Sequence, residues 1–449
     1  STHSQPPSDR RLPRPMRDYF IRRLLLVPVT LLGITMLVFT MTRLTPGGPL
    51  ENAMLQAMSG AKGEAGKLGK ESRGGLSPDQ LLRLEEEYDF DKSIPRAYLN
   101  WLGVAGKETK RTRGKFDKDA TSIEIQLPGS TEKVRVTRDG PRVSALKPVG
   151  TANITGWQAR IESPESQKIR YARRMGMPAD KVEEEFFWQA VIYQPRFEGL
   201  FQGYLGRSTN FGDPVSTLIA QRVPISLFYG VLTFIITYGV CVPLGVLKAI
   251  RHRTLLDSVT SVLVFLGYSI PSFVLGIFLL TFFSARWGWF PIAGFVSAEF
   301  DTLSLPGKIT DLFQHAALPL VCYLVGAFAF LTMLVKNNLL DNLAADHVRT
   351  AMATGATHRE AVFKHALRNS LIPVAATFGG VLTIFVGGNF LIEKVFDIDG
   401  MGLLVFNGLL TRDYPVVMGQ VTVLALLLLI GNIVSDFLVA LADPRVSYR

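Results

Sequence analysis

Six apolar blocks dominate this sequence, and each is long enough to cross a lipid bilayer. The hydrocarbon core of a bilayer is about 30 Å thick, which a helix of about 20 apolar residues spans. The blocks lie near residues 24–43, 223–248, 257–283, 316–335, 371–393 and 416–440. One such block fits a buried core helix, but six in a chain of 449 residues predict an all-α polytopic membrane protein with six transmembrane helices.

Positive charges are concentrated at alternate ends of these blocks, and this bias predicts the orientation of the chain. The short loops near 284–315 and 394–415 are more acidic. We therefore expect both termini in the cytoplasm. The positive residues that support this orientation are Arg10, Arg11, Arg14, Arg17, Arg22, Arg23, Lys248, Arg251, Arg253, Lys336, Arg349, Arg359, Lys364, Arg368, Arg445 and Arg449.

The blocks divide the chain into five predicted parts. The parts are a cytoplasmic N-terminal tail at 1–19, a first transmembrane helix at 20–44, a large outer segment at 45–222, a core of five transmembrane helices at 223–441 that includes a cytoplasmic loop at about 337–370, and a cytoplasmic C-terminal tail at 442–449.

Three prolines lie within the predicted spans. We expect prolines 243, 271 and 319 to interrupt spans two, three and four, as pivots or as packing features.

The outer segment contains a predicted α+β insert at about 104–197. Alternating apolar residues predict strands in 121–129, 132–140 and 153–163. A helix is predicted from Pro164 to Gly176, and another over 178–193. The insert either contacts a partner, for which its basic run at 107–115 provides charge, or serves as a spacer. Residues 59–75 are rich in Gly and Lys, and we expect them to be flexible.

The cytoplasmic loop has an unusual length and a helical pattern. It includes DHVRTAMATGATHREAVFKHALRNSLIPV at residues 346–374. Thr357 and Glu360 are spaced as a capping box, so we predict a helix, a turn at Gly355 and a second helix that leads into span five. Loops that only fix topology can be very short, so the pattern favours docking on a partner. A solvated loop is the alternative.

The chain lacks the motifs of several other functional classes. No Gly-Lys pair is followed by Ser or Thr, as a phosphate-binding loop requires. Glu393 and Asp436 lie near span ends, which argues against proton-coupled transport. No histidine forms HExxH and no GxSxG motif is present, so we assign no catalytic residue and no metal ligand. We also expect no nucleic-acid partner. An intramembrane enzyme is the alternative that the missing motifs disfavour, and a passive channel would leave the long loop unexplained.

The loop resembles the cytoplasmic coupling loop, or EAA loop, of ABC-importer inner-membrane permeases. The resemblance is to the B-type permeases of the oligopeptide and dipeptide family, and Arg349, Thr350 and Ala351 replace the Glu-Ala-Ala opening. FDTLSLPGKITDLFQHAALPL and LTMLVKNNLLD resemble the Yej-type branch most. The other matching stretches are VRTAMATG, FKHALRNSLIPV, FIRRLLLVPVTLLGITMLVFTMTRLTPGGP, YDFDKSIPRAYLNWL, GYLGRST, GYSIPSFVLGIFLL, EKVFDIDGMGLL, TRDYPVVMG and the terminal DPR.

This resemblance implies an importer of the type I permease fold in the bacterial inner membrane. The chain would form half of a translocation pathway, with a second homologous permease as the other half. Two ATPase domains or subunits would bind ATP and Mg, so no cofactor is expected in this chain. A periplasmic peptide-binding protein and membrane lipid are the other implied partners. Oligopeptides are the implied cargo, including microcin C in the Yej-type branch, with dipeptides, glutathione, nickel and sugars as alternatives.

The resemblance also assigns roles to individual residues. The glycine that separates the two coupling helices corresponds to Gly355. Polar residues in or beside the spans are candidates to line the pathway. The implied coupling residues are Arg349, Thr350, Ala351, Gly355, Ala356, His358, Glu360, Phe363 and Arg368, and the candidate pathway residues are Ser226, Tyr229, Ser269, Ser272, Asn389 and Asn407.

Overall fold

The computed structural model describes residues 14–45, 82, 85–86, 88–118, 120–175, 178–378 and 387–442. The chain separates into two compact units. The first contains Ser1–Thr42 and Gly206–Arg449, and the second contains Arg43–Leu205. The predicted flexible stretch 59–75, most of the tail at 1–19 and nearly all of the tail at 442–449 lie outside the described residues.

Helices account for most of the described chain. The loop predicted to be cytoplasmic contains α8 and α9, and α9 includes a π-helical stretch, Ala361–Ala366. The helices are α1 (Arg14–Leu44), α2 (Ile94–Leu102), α3 (Pro164–Met175), α4 (Val215–Ile250), α5 (Leu255–Ser269), α6 (Ser272–Leu279), α7 (Leu305–Leu343), α8 (Asp346–Ala353), α9 (His358–Glu360, continued by Ala361–Ala366 and Leu367–Ser370), α10 (Ile372–Ala376), α11 (Phe390–Val395), α12 (Met401–Leu410) and α13 (Tyr414–Ala442).

Within the described residues, α1, α4, α7 and α13 are long and apolar enough to cross a membrane. The pair Leu255–Ser269 and Ser272–Arg286, bent by 90°, is a fifth candidate if both helices belong to one span. The predicted span 371–393 includes residues 379–386, which are outside the described chain. The described helices therefore form a multi-pass α-helical membrane protein with four or five recognisable spans.

Only one of the three prolines predicted to interrupt spans separates two helices. Pro271 lies between α5 and α6, where the chain bends by 90°. Pro243 lies inside α4 and Pro319 inside α7, and both helices continue through them. Spans two and four are therefore not broken at their prolines, and a kink at either proline stays a prediction.

The long helices α4 and α7 pack side by side and hold two clusters of buried residues. One cluster includes Val335 and Leu339 of α7 and receives Val348 and Ala361 from the cytoplasmic loop. The other surrounds Tyr229 and includes residues that precede α12. Apolar packing against the ends of α4 and α7 thus determines where the loop lies.

Six described strands form the core of the second unit. They are β1 (Lys107–Lys115), β2 (Ser122–Gln126), β3 (Lys133–Asp139), β4 (Arg142–Val149), β5 (Gln158–Glu162) and β6 (Gln189–Arg196). Two antiparallel sheets have the orders β1-β6-β5 and β2-β3-β4. Val134, Val136 and Ile192 are fully buried between them. A Cβ at Gly114 would lie 2.7 Å from Ile125 Cγ1, so this glycine permits close packing of β1 on β2.

The predicted helix over 178–193 was wrong. A 3₁₀ turn, Ala179–Lys181, is followed by extended chain and by β6. Ala190, Val191 and Ile192 are fully buried, because β6 is the central strand of its sheet. A short apolar run bounded by polar residues fits a helix or a buried strand equally, and pairing with β1 and β5 decides the outcome.

The basic run at 107–115 is strand β1, and its arginines have acidic partners in the same unit. Arg111 lies 3.3 Å from Glu86 and 3.3 Å from Glu108, and Arg113 also pairs with Glu86. Burial opposes ionisation of Glu108, but Arg160 and Lys92 lower its pKa below the usual value. The run therefore contributes to the interior of the module more than to an open positive surface.

Candidate functional site

The turn between α8 and α9 has the predicted capping box. The Glu360 backbone N–H donates to Thr357 Oγ1 at 3.3 Å, and the Thr357 N–H donates to Glu360 Oε2 at 3.1 Å. Lys364 donates to Glu360 Oε1 at 3.1 Å. The hydrogen bond from Lys364, followed by those from Thr357, lowers the pKa of Glu360 to about 2. These contacts fix the start of α9.

Gly355 adopts a backbone conformation that other residues rarely take. Its φ is +105°, and a Cβ added there would meet nothing within 4 Å. The turn is closed by hydrogen bonds from Gly355 N to Met352 O at 3.1 Å and from Ala356 N to Ala351 O at 3.0 Å. Positive φ, rather than close approach of another element, therefore explains the glycine.

The inner face of the loop is firmly packed. Val348, Ala361 and Ala366 are fully buried and Val362 is nearly so. Complete burial of one valine side chain contributes about 1.5–3 kcal/mol. Ser370 Oγ also donates to Ala366 O at 2.7 Å and lies 3.3 Å from Asn338 O of α7. The loop is therefore attached to the ends of α4 and α7 along its length.

The outer face of the loop carries more basic than acidic side chains, and it contains two exposed large apolar side chains. Phe363 is 49% exposed and Met352 is 39% exposed. Exposed aromatic and methionine side chains among cations are typical of interaction surfaces. Of the implied coupling residues, the exposed ones are Arg349, Thr350, Gly355, His358, Phe363 and Arg368, and the half-buried ones are Ala351, Ala356 and Glu360.

Three of the candidate pathway residues lie close together in the packed interior. Ser226 Oγ accepts a hydrogen bond from Met401 N at 2.9 Å. The Tyr229 ring stacks on Tyr323 with centroids 5.6 Å apart, and Asn389 N donates to Tyr323 Oη at 3.2 Å. Ser226 and Tyr229 are buried. Here these groups contribute to packing, and a role in the pathway stays a prediction.

The other three candidate pathway residues lie elsewhere. Ser269 is exposed and Ser272 half-buried, on either side of the bend at Pro271. Ser269 Oγ donates to Phe265 O at 2.8 Å. Asn407 is half-buried on α12. A role of these three residues in the pathway also stays a prediction.

Glu393 is a central residue that sequence reasoning undervalued. It is 1% exposed, and its carboxylate accepts hydrogen bonds from Leu403 N at 2.6 Å and Asn389 N at 3.2 Å. A Cβ at Gly400 would lie 2.5 Å from Glu393 Cδ, and one at Gly388 would collide with Oε1. Glu393 thus closes the turn between α11 and α12. The glycines near it in the sequence were the available signal.

Loop 207–214 is attached to the region after α12 through a second buried carboxylate. Asp413 is fully buried and accepts hydrogen bonds from Ser208 Oγ and, at 3.3 Å, from Asn210 N. Arg222 on α4 donates to Asp399 Oδ1 at 2.8 Å. Within the described ranges, no group of three or more His, Cys, Asp or Glu residues is arranged to hold a metal ion.

Comparison with known proteins identifies the family. The model of a family described as binding-protein-dependent transport system inner membrane component matches residues 241–448. The chain is 37% identical over 273 residues to the inner membrane ABC transporter permease protein YejB of Escherichia coli O157:H7, which covers 60% of this chain and 73% of the relative.

Two other relatives agree with this assignment. The peptidoglycan transport system permease protein YejB of Agrobacterium fabrum is 36% identical over 249 residues, 54% of this chain and 68% of its own length. The oligopeptide transport system permease protein AppB of Bacillus subtilis is 36% identical over 261 residues, 58% of this chain and 81% of its own length. The chain belongs to the inner-membrane permeases of binding-protein-dependent ABC transporters.

Proposed function

We propose that this chain is a translocation subunit of an ATP-driven importer that carries oligopeptides across the bacterial inner membrane. The observation that carries this proposal is the coupling loop, whose inner face is buried against α4 and α7 and whose outer face exposes Phe363 and Met352 among basic residues. Relatives named as oligopeptide and peptidoglycan permeases support the cargo class.

The two-sided loop supports a mechanical role. A partner ATPase docks on the outer face, with Phe363 and Met352 as apolar anchors. ATP and Mg bind to the ATPase, and closure of the ATPases moves the docked loop. Since the inner face packs against Val335 and Leu339, the loop and the adjacent ends of α4 and α7 move together, which converts the permease from inward-open to outward-open.

Membership of this family supports a particular assembly around the subunit. We take the six spans predicted from the sequence to place both termini in the cytoplasm. A second homologous permease completes the pathway, two ATPases bind below it, and a periplasmic protein delivers peptide. The module at 104–197 then lies in the periplasm, where it contacts the delivery protein or supports the outer loop.

Cross-linking tests the docking surface directly. Both native cysteines, Cys241 and Cys322, are buried, so thiol chemistry will report a cysteine introduced at an exposed site. We expect Phe363→Cys to cross-link to the ATPase in the assembled complex. Leu305→Cys, a site 74% exposed at the opposite end of α7, is the control and should not. Equal cross-linking at both sites, or none at residue 363, contradicts the proposal.

Gly355→Val tests coupling. A β-branched residue at φ +105° is strained, so the variant should insert and assemble but separate ATP hydrolysis from uptake. Gly326→Ala, where a Cβ meets nothing within 4 Å, is the control. Wild-type uptake by the Gly355→Val complex would remove the proposed role of the turn.

Uptake competition defines the cargo. We expect ATP-dependent accumulation of a labelled oligopeptide, with unlabelled oligopeptides competing better than dipeptides, glutathione or nickel. Microcin C is a narrower candidate cargo and serves as a further competitor. Competition by nickel or glutathione alone would reject the peptide assignment while leaving the importer assignment in place.

A further inference from the structure

A buried cluster of charges joins three helices near the coupling loop. Lys336 on α7 donates to Asp257 Oδ1 at 2.7 Å and Oδ2 at 2.8 Å. Lys248 at the end of α4 lies 3.3 Å from Asp257 Oδ1. Asp257 belongs to the first turn of α5. Lys248, Asp257 and Lys336 are 0%, 5% and 7% exposed, respectively. We call these three residues the charge cluster.

The charge cluster is well bonded. Lys248 Nζ donates to Asp257 O at 3.0 Å, to Thr260 Oγ1 at 2.8 Å and to Ser261 Oγ at 2.8 Å. The Arg253 backbone N–H donates to Asp257 Oδ2 at 3.2 Å. Buried ion pairs are often no more stabilising than apolar residues of similar volume. Stability alone is therefore a weak reason for this cluster, whereas a need for fixed geometry is a better one.

Helix α5 depends on this cluster more than on apolar packing within the chain. Asp257 is the buried residue of α5, a helix that the structure describes throughout. Most of its apolar residues are exposed, with Leu255 83%, Leu263 63% and Tyr268 62% exposed, whereas Leu256 and Val264 are half-buried. The contact of Lys336 with both carboxylate oxygens of Asp257 resists sliding of α5 along α7, because neither oxygen is free to change partner.

On α7, the charge cluster lies next to the apolar residues that pack against the coupling loop. Lys336 follows Val335 and precedes Leu339 by less than one turn of α7. Val335 and Leu339 are fully buried in the apolar cluster that also contains Val348 and Ala361 of the loop. A displacement of the loop therefore reaches Lys336 through one segment of α7, and Asp257 is the next contact.

We propose that Asp257, Lys336 and Lys248 are positioning residues that pass movement of the coupling loop through α7 to α5 and the bent span. This inference rests on the proposed function, since it requires an ATPase to move the loop. The cluster sets the position of the cytoplasm-proximal end of α5 at each stage of the cycle. Without it, α7 moves and α5 does not follow.

The test uses the complete transporter in proteoliposomes, with ATP hydrolysis and peptide uptake measured on the same sample. Lys336→Met should lower uptake per ATP hydrolysed by about tenfold, while ATPase activity and Phe363→Cys cross-linking persist. Lys336→Arg retains a bidentate cation and should keep most of the coupling. Equal coupling in Lys336→Arg and Lys336→Met would overturn the proposal.

A triple variant separates positioning from stability. Lys248→Met, Asp257→Leu and Lys336→Met together remove all three charges of the cluster without leaving a buried charge unpaired, so the protein should recover its thermal stability but not its uptake per ATP. Recovery of both overturns the inference. If Phe363→Cys fails to cross-link to the ATPase in the otherwise unaltered complex, the proposed function has failed instead, which distinguishes the two failures.

Discussion

Two buried carboxylates, Glu393 and Asp257, differ in the main partners that stabilise them, although Asp257 also accepts one local backbone hydrogen bond, from Arg253. Backbone N–H groups of Asn389 and Leu403, which lie within ten residues in the sequence, bond to Glu393. Lysines from two other helices bond to Asp257. A carboxylate with local backbone partners fixes one turn, whereas a carboxylate with distant charged partners fixes the positions of separate helices.

The surroundings of the two carboxylates strengthen this contrast. Gly388, Gly400 and Gly402 leave no space for a side chain beside Glu393 or the adjacent backbone, so that turn has one arrangement. Asp257 meets lysine side chains from α4 and α7, so the contact holds α4, α5 and α7 to one another and lets them move together. We therefore assign Glu393 to the permanent fold and Asp257 to the moving part.

The largest effect is expected where the Glu393 turn is tightest. At Gly388, with φ +62°, a Cβ would collide with Glu393 Oε1 and lie 2.9 Å from Gly402 N. Gly388→Ala should lower the free energy of unfolding by more than about 3 kcal/mol, because both backbone strain and overpacking oppose it. Thermal unfolding in detergent measures this. Stability equal to that of the Gly239→Ala control, where a Cβ meets nothing within 4 Å, would contradict it.

An intermediate effect is expected from neutral replacement of Glu393. In Glu393→Gln an amide group faces backbone donors, so stability should fall by about 1–3 kcal/mol. Uptake per ATP hydrolysed should not change in the protein that remains folded, in contrast to Lys336→Met. Parallel uptake and ATPase assays on the two variants test the division between permanent and moving parts. A coupling defect in Glu393→Gln would contradict the assignment of Glu393 to the permanent fold.

The smallest effect is expected at Glu360, an ionisable group at the surface of the coupling loop. Its pKa is lowered to about 2 from an ordinary value of 4.5. A lowered pKa gives a stabilising contribution that is present above the ordinary value and is lost as the pH falls towards the lowered one. The melting difference between wild type and Glu360→Gln should therefore be small near neutrality and shrink on acidification from about pH 5 to about pH 2. A difference that grows on acidification would be inconsistent with this contact.

Features set by local chemistry were predictable from the sequence. The capping box of Thr357 and Glu360 depends on residues three apart, and positive φ at Gly355 is a property that glycine alone adopts easily. Apolar blocks indicated helices at α1, α4, α7 and α13 because length and hydropathy suffice.

Features set by tertiary contacts were not predictable in this way. Lys248 and Lys336 served as markers of orientation in the sequence, yet both are buried against Asp257. The residues next to these lysines in the sequence do not indicate which acidic residue each lysine contacts. The strand β6 was predicted as helix for the same reason, since its central place in a sheet depends on β1 and β5.

The most direct test of the account is whether the coupling loop is rigid and docked in the working complex. Spin labels at Met352→Cys and Phe363→Cys lie on either side of Gly355, at sites that are exposed in the chain alone. In the assembled, ATP-loaded transporter, we predict a narrow distribution of distances between them and an immobilised label at residue 363. A broad distribution with a freely mobile label would contradict the claim that this loop transmits work from the ATPase to the spans.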